Sequence, residues 1–364
     1  MTTIAGIETP AILIDLDVME RNLRRVADYA REHDLRLRPH TKTHKIPALG
    51  RRQIEGGAAG LTVAKVSEAE VMLQSGTPDL LVAYPVIGRP KLERLMHVAA
   101  HTQMTVSLDS VEAAKQLSAA AQAAHREICV LAEMDAGLGR VGVAPGPQLI
   151  GLARAIQELP ALHLEGIAFY PGHIKMLDEE GFRAIDALGE LIDSVLTQLR
   201  QAGLTISIVS GGSTPALFQS HKIAGLNEIR PGTYIFNDRN TMLMGACSLD
   251  DCAAAIMATV VSTAKPGQII IDGGSKTFSS DRPSSGEVSF GHVLEAPDAV
   301  FTKMNEEHGY VDVRAVGQHF AVGDRLRIIP NHICVAMNLH EFVYGVRGDR
   351  VEQVWRVEGR GKLQ

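Results

Sequence analysis

Short apolar segments alternate with amphipathic helical segments between about residues 35 and 230. Eight of the apolar segments are predicted strands, and several are apolar throughout, as expected for parallel strands that are covered on both faces. The predicted strands cover residues 35–39, 60–64, 80–84, 104–108, 128–134, 162–170, 206–210 and 227–230.

Helical periodicity fills the intervals between these strands. Ile185, Leu188, Ile192, Val195 and Leu199 recur at helical spacing, which predicts a helix over residues 180–202; residues 66–75 and 110–124 follow the same pattern. Strands that alternate with helices favour parallel βα units, and eight such units predict a (β/α)8 barrel of the TIM type. An open doubly wound sheet is the alternative, but eight units exceed its usual strand count.

The pattern changes after residue 240, where strand-like segments with little helix predict a C-terminal β-rich domain. These segments are 254–263, 268–272, 287–294, 325–329, 341–346 and 351–357. Residues 11–15 are also strand-like and precede the first barrel strand, so we expect them to pair with the β-rich domain. The predicted domains are therefore a barrel over residues 17–240 and a β domain over residues 241–364 with residues 1–16.

Composition and charge exclude several classes of protein function. The chain has 364 residues, 45% of them hydrophobic and 21% charged, with a net charge of −6 and no long block of like charges. A nucleic-acid partner is not expected, because phosphate binding requires a basic face. No signal peptide or membrane span is expected either. The four cysteines form no CxxC pair, which indicates reduced thiols and a cytoplasmic protein.

Lys42 is the first candidate for chemistry, because it directly follows the first predicted strand. Functional groups of a barrel lie at the carboxyl ends of its strands. A lysine at such a position can form a Schiff base with an aldehyde, and neighbouring positive charge at His40 and His44 favours its neutral amine. A solvated basic loop is the alternative interpretation, and Lys45 and Lys65 are rival lysines by the same argument.

Two glycine turns at later strand ends are candidates for a phosphate site. Gly211, Gly212, Ser213 and Thr214 follow the seventh predicted strand, where backbone N–H groups and hydroxyls could bind an anion. A helix beginning after this turn would strengthen the site. A second turn after the eighth strand, with Gly232, Thr233 and Tyr234, could complete the site. Ordinary βα turns are the alternative interpretation.

Arg140 and Tyr170 lie past the ends of the fifth and sixth predicted strands. Arg140 could meet a cofactor hydroxyl or a substrate carboxylate, or form a surface ion pair with Asp135 or Glu133. Tyr170 could stack on a flat ring. We place Lys42, His44 and Tyr170 among the predicted catalytic residues.

His332 and Cys334 form the candidate metal site. On an extended segment, residues two apart point to the same side, and imidazole with thiolate suits Zn²⁺ better than Mg²⁺. Two ligands are too few for a structural zinc site but suit an open catalytic one. Residues 305–309, the NEEHG segment, form another polar cluster in an otherwise apolar domain, and an exposed hairpin turn is the alternative interpretation.

The motif order resembles a known family. RPHTKTHK, TVAKVSEAE, EMDAGLGRVGV, YPGH, SGGSTP, RPGTYIF, IDGGSK, NEEHG and PNHIC occur in the order typical of the D-threonine aldolase and D-serine dehydratase family, fold-type III pyridoxal-phosphate enzymes. The resemblance covers nearly the whole chain. It implies an alanine-racemase-like barrel with a β domain, and a homodimer.

The resemblance also implies roles for particular residues. It assigns the pyridoxal 5'-phosphate Schiff base to Lys42, the phosphate to Gly211–Thr214 with Gly232 and Thr233, and a divalent metal to His332 and Cys334. The metal would be zinc or manganese, with magnesium as a third candidate. The implied substrates are D-amino acids with a β-hydroxyl group.

Two lyase outcomes are open. An aldolase would cleave Cα–Cβ to give glycine and an aldehyde, whereas a dehydratase would eliminate the β-hydroxyl to give a 2-oxo acid and ammonia. His-x-Cys resembles the dehydratase metal site, since typical aldolases of the family carry His-x-Asp. The segment from Asn338 to Glu341 resembles the aldolases more. A racemase of the same fold and a non-catalytic pyridoxal-phosphate-binding protein are the remaining alternatives.

Overall fold

The computed structural model describes residues 3–283 and 286–364, and these residues form two compact units. The barrel unit contains Arg25–Lys42, Pro47–Gly232 and Lys362–Gln364. The β unit contains the described part of Met1–Arg24, Thr43–Ile46 and the described part of Thr233–Gly361. Residues 1 and 2 of the predicted β domain lie outside the described residues. The boundaries at residues 17 and 240 stay a prediction.

The barrel unit is built on an eight-stranded parallel sheet, which confirms the predicted number and direction of strands. The Ala59 amide donates to the Leu37 carbonyl at 2.8 Å, and the Thr62 amide donates to the Pro39 carbonyl at 2.8 Å. These bonds join the first strand to the second and close the sheet. In spatial order the strands are Arg36–Leu37, Glu228–Ile229, Ile208–Gly211, Leu162–Ala168, Ile128–Glu133, Gln103–Leu108, Asp79–Val82 and Leu61–Val63.

The predicted helices are present, with bounds that differ by a few residues. The apolar stripe of Glu179–Gln201 is buried, and Ser110 and Asp178 cap their helices by accepting hydrogen bonds from backbone amides three residues on. No helix within the described residues is long and apolar enough to cross a bilayer. The α-helices are Leu16–Glu32, Pro47–Glu55, Val66–Met72, Arg89–Ala99, Val111–Ala123, Pro147–Glu158, Glu179–Gln201, Arg239–Leu243, Ser275–Phe278 and Ile333–Leu339.

The β unit contains a nine-stranded sheet with Ala11–Asp15 near its middle. That strand pairs antiparallel with Ala254–Lys265 and parallel with Phe342–Arg347, which confirms its predicted membership of the β-rich part. The NEEHG segment lies at the hairpin turn between Val300–Met304 and Gly309–Asp312, which agrees with the alternative interpretation of this polar cluster. The remaining strands are Gln268–Ile271, Gly291–Val293, Arg325–Pro330 and Arg350–Arg356.

Charged side chains lie inside the barrel unit. The Arg38 guanidinium is 1% exposed and lies 2.9 Å from the Asp79 carboxylate and 3.2 Å from that of Glu228. Burial raises the pKa of Asp79 to about 6, and the nearby charge of Arg38 only partly opposes this rise. The ionised form of Asp79 therefore costs stability in the folded state.

Asp79→Asn tests this cost. A raised carboxyl pKa favours the neutral form, so wild type should gain unfolding free energy relative to the variant as pH falls from 7 towards 4. The shift from 3.8 to about 6, at about 1.4 kcal/mol per pKa unit, corresponds to a relative gain of about 3 kcal/mol. Urea unfolding of both proteins at several pH values measures it. A difference between them that does not change with pH would contradict this assignment.

Candidate functional site

Lys42 lies where the sequence places it, just past the carboxyl end of the strand Arg36–Leu37. It occupies the middle of a short 3-10 helix, Thr41–Thr43, and its side chain is exposed. Within residues 3–283 and 286–364 its ammonium has no hydrogen-bond or ion-pair partner. An exposed, unpartnered amine at a barrel strand end is the arrangement that a lysine needs to react with an aldehyde.

The two rival lysines are engaged with other residues. Lys45 is 6% exposed, and its ammonium donates to the Asn338 side-chain oxygen at 2.9 Å. The Lys65 ammonium lies 3.7 Å from the centre of the Tyr84 ring, a cation–π distance. Lys42 is therefore the best placed of the three for Schiff-base chemistry.

His44 is buried within the β unit, with no measurable exposure. Its Nδ1 accepts a hydrogen bond from the Ile46 backbone amide at 3.0 Å. This geometry fits a ring that fixes the local path of the backbone, because one ring nitrogen already has a backbone partner. The catalytic role predicted for His44 stays a prediction.

The two predicted glycine turns contact each other within the barrel unit. The Gly232 amide donates to the Thr214 hydroxyl at 3.3 Å. A Cβ on Gly211 would lie 2.4 Å from the Phe169 ring, and Gly212 has a φ of +91°, so neither position accepts a side chain without strain. Ser213 is 5% exposed, with its hydroxyl 3.4 Å from the Ala216 amide. Glycine backbone beside hydroxyl groups fits an anion site.

Two details of the predicted phosphate site differ from expectation. The helix after the first turn is a six-residue 3-10 helix, Leu217–Lys222, rather than an α-helix, so it provides a weaker dipole than expected. Thr233 and Tyr234 begin another 3-10 helix, Thr233–Ile235, in the β unit. Tyr234 is 3% exposed. Contact of these two residues with a cofactor stays a prediction.

Arg140 and Tyr170 are brought together at the barrel strand ends. The Arg140 guanidinium carbon lies 4.8 Å from the centre of the Tyr170 ring, a cation–π contact. The predicted alternative partners are otherwise engaged, since Asp135 accepts bonds from the Gly137 and Gly139 amides and Glu133 accepts from the Ser107 hydroxyl. Arg140 and Tyr170 therefore form a contact pair, in which the guanidinium lies over the flat face of the tyrosine ring.

Arg230 is a neighbour of the phosphate turns that the sequence analysis missed. Its guanidinium donates to the Ser210 hydroxyl and, at 3.1 Å, to the Phe169 carbonyl. Burial lowers the pKa of Arg230, and Glu228 and Glu133 oppose that effect. Arg230 is the first residue of the RPG turn, and this position could have indicated its role. An arginine at the end of a buried strand requires buried hydrogen-bond partners.

His332 and Cys334 lie at the start of the helix Ile333–Leu339, so the prediction of an extended segment is wrong. His332 is the extended N-terminal cap, while Cys334 lies in the first helical turn. The Cys334 sulfur lies 3.2 Å from the Thr43 hydroxyl and 3.7 Å from the Thr233 hydroxyl. A short helix with no Ser, Thr, Asp or Asn cap is difficult to recognise from sequence.

Asp238 is a second residue of the site that the sequence did not indicate, and it contacts the start of this helix. It is 1% exposed, and its Oδ2 lies 3.2 Å from His332 Nδ1 and accepts from the Ile333 amide at 3.1 Å. Its Oδ1 accepts from the Thr241 amide at 2.8 Å and the Thr241 hydroxyl at 2.6 Å. Asp238 therefore fixes the orientation of the His332 ring through Nδ1.

The two candidate ligands perturb each other's titration. The negative charge of the Cys334 thiolate, with Asp238, raises the pKa of His332 to about 11. Burial opposes ionisation of the Cys334 thiol, but His332 and the hydrogen bond with Thr43 outweigh it and lower its pKa. A stabilised thiolate beside an oriented histidine becomes a donor set for a soft divalent metal when the metal displaces the extra proton of the His332 ring.

A third protein ligand is not apparent. Among residues 3–283 and 286–364, no group of three or more His, Cys, Asp or Glu side chains is arranged to hold a metal ion. The pair His332 and Cys334 therefore fits a metal only if water, substrate or other donors complete the coordination.

Comparisons with known proteins agree with this organisation. Residues 14–240 match the model of the alanine racemase N-terminal domain, and residues 253–346 match that of the putative serine dehydratase domain. An alanine-racemase-like barrel followed by a β-rich domain is therefore the fold class, as predicted.

Individual relatives match over nearly their whole length. The 3-hydroxy-D-aspartate aldolase of Paracoccus denitrificans is 34% identical, across 98% of this chain and 93% of the relative. A solved D-threonine aldolase from Filomicrobium marinum is 32% identical with a TM-score of 0.93, covering 99% of this chain and 98% of that one. A metal-free cysteine-to-alanine mutant of D-threo-3-hydroxyaspartate dehydratase is 31% identical with a TM-score of 0.87, covering 98% and 99%.

These matches define an enzyme class and then a family. The fold and relatives are those of lyases, and they imply pyridoxal phosphate as the cofactor and a small molecule as the substrate. The chain belongs to the D-threonine aldolase and D-serine dehydratase family.

Proposed function

We propose that this protein is a pyridoxal-phosphate- and divalent-metal-dependent lyase that acts on D-β-hydroxy-α-amino acids. The observation that carries the proposal is the pair His332 and Cys334, held by Asp238 at 3.2 Å from the His332 ring. A racemase of this fold has no need of such a pair, whereas removal or cleavage at a β-hydroxyl gains from a Lewis acid on that oxygen.

The barrel unit provides the cofactor residues in this proposal. Lys42 binds the cofactor aldehyde, and the turns at Gly211–Thr214 and Gly232 bind its phosphate through backbone amides and hydroxyls. Bound pyridoxal phosphate supplies an electron sink for charge that develops at the substrate Cα. Tyr170 and Arg140 form a flat surface against which its ring is held.

The β unit provides the metal residues. His332 Nε2 and the Cys334 thiolate bind one divalent ion, and Asp238 fixes the ring through Nδ1. Support comes from a relative: D-threo-3-hydroxyaspartate dehydratase has been solved as a cysteine-to-alanine mutant in a metal-free form and as a histidine-to-alanine mutant, at positions two residues apart. We propose zinc, because thiolate and imidazole prefer it to magnesium; manganese is second.

The substitution Asp238→Asn tests whether Asp238 supports metal binding by His332. Asparagine is also a good helix cap, so the helix Arg239–Leu243 should persist. The amide carries no charge to hold the His332 ring, and loss of such partners lowers metal affinity by about 10- to 100-fold. Metal content after equilibration with a buffered zinc series measures the change. The exposed neighbour Asp250→Asn is the control, and equal affinities would contradict the role of Asp238.

Two products distinguish the aldolase from the dehydratase. In the aldolase outcome a base takes the β-hydroxyl proton, Cα–Cβ breaks to release the aldehyde, and Cα takes up a proton to give glycine. In the dehydratase outcome Lys42 takes the Cα proton and hydroxide leaves from Cβ as water; the resulting enamine tautomerises to an imine, which water hydrolyses to the 2-oxo acid and ammonia. Incubation with D-threonine, D-serine and 3-hydroxy-D-aspartate should give either glycine with an aldehyde, or a 2-oxo acid with ammonia. Formation of neither product from any of the three would overturn the proposed function.

Assembly and compartment are further parts of the proposal. We propose a cytoplasmic homodimer, on the support of the family resemblance and the reduced cysteines. Sedimentation of the purified protein at micromolar concentration should give twice the chain mass of 39.2 kDa. A monomer that retains full turnover would contradict it.

A further inference from the structure

Lys45, the last residue of the RPHTKTHK motif, lies in a four-residue segment of the β unit, Thr43–Ile46, between two parts of the barrel unit. Its side chain is buried, with 6% exposure. Its φ of +56° lies in the left-handed region, which a residue with a side chain keeps only when its surroundings fix it. The proposed lyase function assigns no role to Lys45.

Two contacts at matching intervals join this segment to the helix Ile333–Leu339. The Thr43 hydroxyl lies 3.2 Å from the Cys334 sulfur, and the Lys45 ammonium donates to the Asn338 side-chain oxygen at 2.9 Å. Cys334 and Asn338 are four residues apart, so they lie on the same face of the helix, one turn from each other. The segment and the helix are therefore held in one register by a pair of side-chain contacts.

The carboxyl-terminal residues enclose the contact between Lys45 and Asn338. The Gly359 amide donates to the Lys45 carbonyl at 2.9 Å, and the Gly361 amide donates to the Asn338 side-chain oxygen at 3.2 Å. A Cβ on Gly359 would lie 2.8 Å from that of Lys45, so the two chain segments pass too close for a side chain at position 359. A buried ammonium requires a hydrogen-bond partner, and Asn338 provides one.

The helix that carries Cys334 is held near both of its ends. The Ile333 amide donates to Asp238 at 3.1 Å where the helix begins, and Asn338 accepts from Lys45 in the last turn. A helix of seven residues is too short to be stable without such tertiary contacts. Cys334 lies between the two contacts, so the direction in which its sulfur points depends on both.

We propose that Lys45 is a positioning residue for the metal ligand Cys334 and acts through Asn338. The inference rests on the proposed function, in which Cys334 is one of the metal ligands. The bond from Lys45 fixes the rotation of the helix about its axis, and this rotation directs the Cys334 sulfur towards the metal. Asp238 orients the His332 ring, and Lys45 has the corresponding role for the thiolate.

Zinc affinity of the pyridoxal-phosphate-loaded enzyme tests the proposal. Lys45→Met keeps most of the side-chain length and removes the ammonium, whereas Asn338→Leu removes the acceptor. Each should weaken zinc binding by about tenfold, the lower end of the loss expected for residues that orient metal ligands. The double variant should bind zinc no more weakly than either single variant, because the same bond is lost in all three. Competition with a chromogenic chelator measures these affinities.

Two further variants complete the comparison. Asn338→Asp keeps an oxygen that accepts from Lys45, so its zinc affinity should remain that of wild type even if the other two variants fold poorly. Lys265→Met removes an exposed lysine of the same unit and should also bind zinc as wild type does. Cobalt in place of zinc adds a spectroscopic readout, because the absorbance of a cobalt–thiolate bond reports on Cys334. That absorbance should change in Lys45→Met and Asn338→Leu alone.

A merely structural role for Lys45 predicts another result. Lys45→Met would then unfold at a lower urea concentration, while the folded protein bound zinc with wild-type affinity and gave the wild-type cobalt spectrum; this result would overturn the proposal. Zinc affinity as weak in Asn338→Asp as in Asn338→Leu would also contradict it. A wild type that binds zinc and forms either lyase product beside unaffected variants contradicts only the role of Lys45, whereas a wild type that binds no zinc contradicts the proposed function as well.

Discussion

Lys42→Ala should give a protein that no longer develops the visible absorbance of a lysine-bound pyridoxal phosphate. Turnover should fall by about a thousand-fold or more, because the same amine serves as cofactor anchor and as base. The reason is positional: among the three candidate lysines, Lys42 is exposed and without a partner within the described residues, while Lys45 is bonded to Asn338 and Lys65 lies over Tyr84. Cofactor titration by absorbance and turnover assays measure both effects.

Lys65→Ala is the matched control for this experiment. It removes another lysine that follows a barrel strand, and its absorbance should remain that of wild type. Borohydride reduction followed by peptide mapping should place the reduced cofactor on Lys42. Retained absorbance in Lys42→Ala, or a reduced cofactor on Lys45 or Lys65, would show that the assignment is wrong.

His332→Ala should lose the bound metal and, with it, at least about a hundred-fold of turnover, because one of two proposed protein donors is gone. The cofactor absorbance should persist, since the proposed cofactor residues are others. Elemental analysis of the purified variant, together with absorbance and turnover, separates the two effects.

Cys334→Asp is the informative companion to that variant. The family resemblance implies His-x-Asp in typical aldolases, so a carboxylate should keep a metal and part of the turnover, whereas Cys334→Ala should keep neither. Wild-type turnover in His332→Ala after exhaustive removal of metal would contradict a catalytic ion at this position.

The barrel could be predicted because several of its strands are apolar throughout and all of them alternate with helical segments. Eight such segments at regular intervals left few alternatives, and even the two-residue strands Arg36–Leu37 and Glu228–Ile229 were located. Val300–Met304 and Gly309–Asp312 were missed as strands because exposed and polar positions interrupt their apolar pattern. Their connecting turn was considered only as the alternative interpretation of the polar NEEHG segment.

The site was predicted less completely, for a physical reason. Lys42 and the glycine turns follow strands directly, so local sequence indicates their position. Asp238 contacts His332 and Ile333 from 94 and 95 residues away, and no local pattern records such a contact. The helical setting of Cys334 was missed since hydrogen bonds to Asp238, rather than a local cap, begin that helix.

One measurement tests the central claim most directly. The pyridoxal-phosphate-loaded enzyme is supplied with the D and L forms of threonine and 3-hydroxyaspartate, before and after metal removal by a chelator. We predict that the D substrates are consumed and that glycine with an aldehyde, or a 2-oxo acid with ammonia, forms in an amount equal to the substrate consumed. The chelator should stop this reaction, and added metal should restore it. Interconversion of D and L forms without either product, at a rate the chelator does not change, would contradict the account.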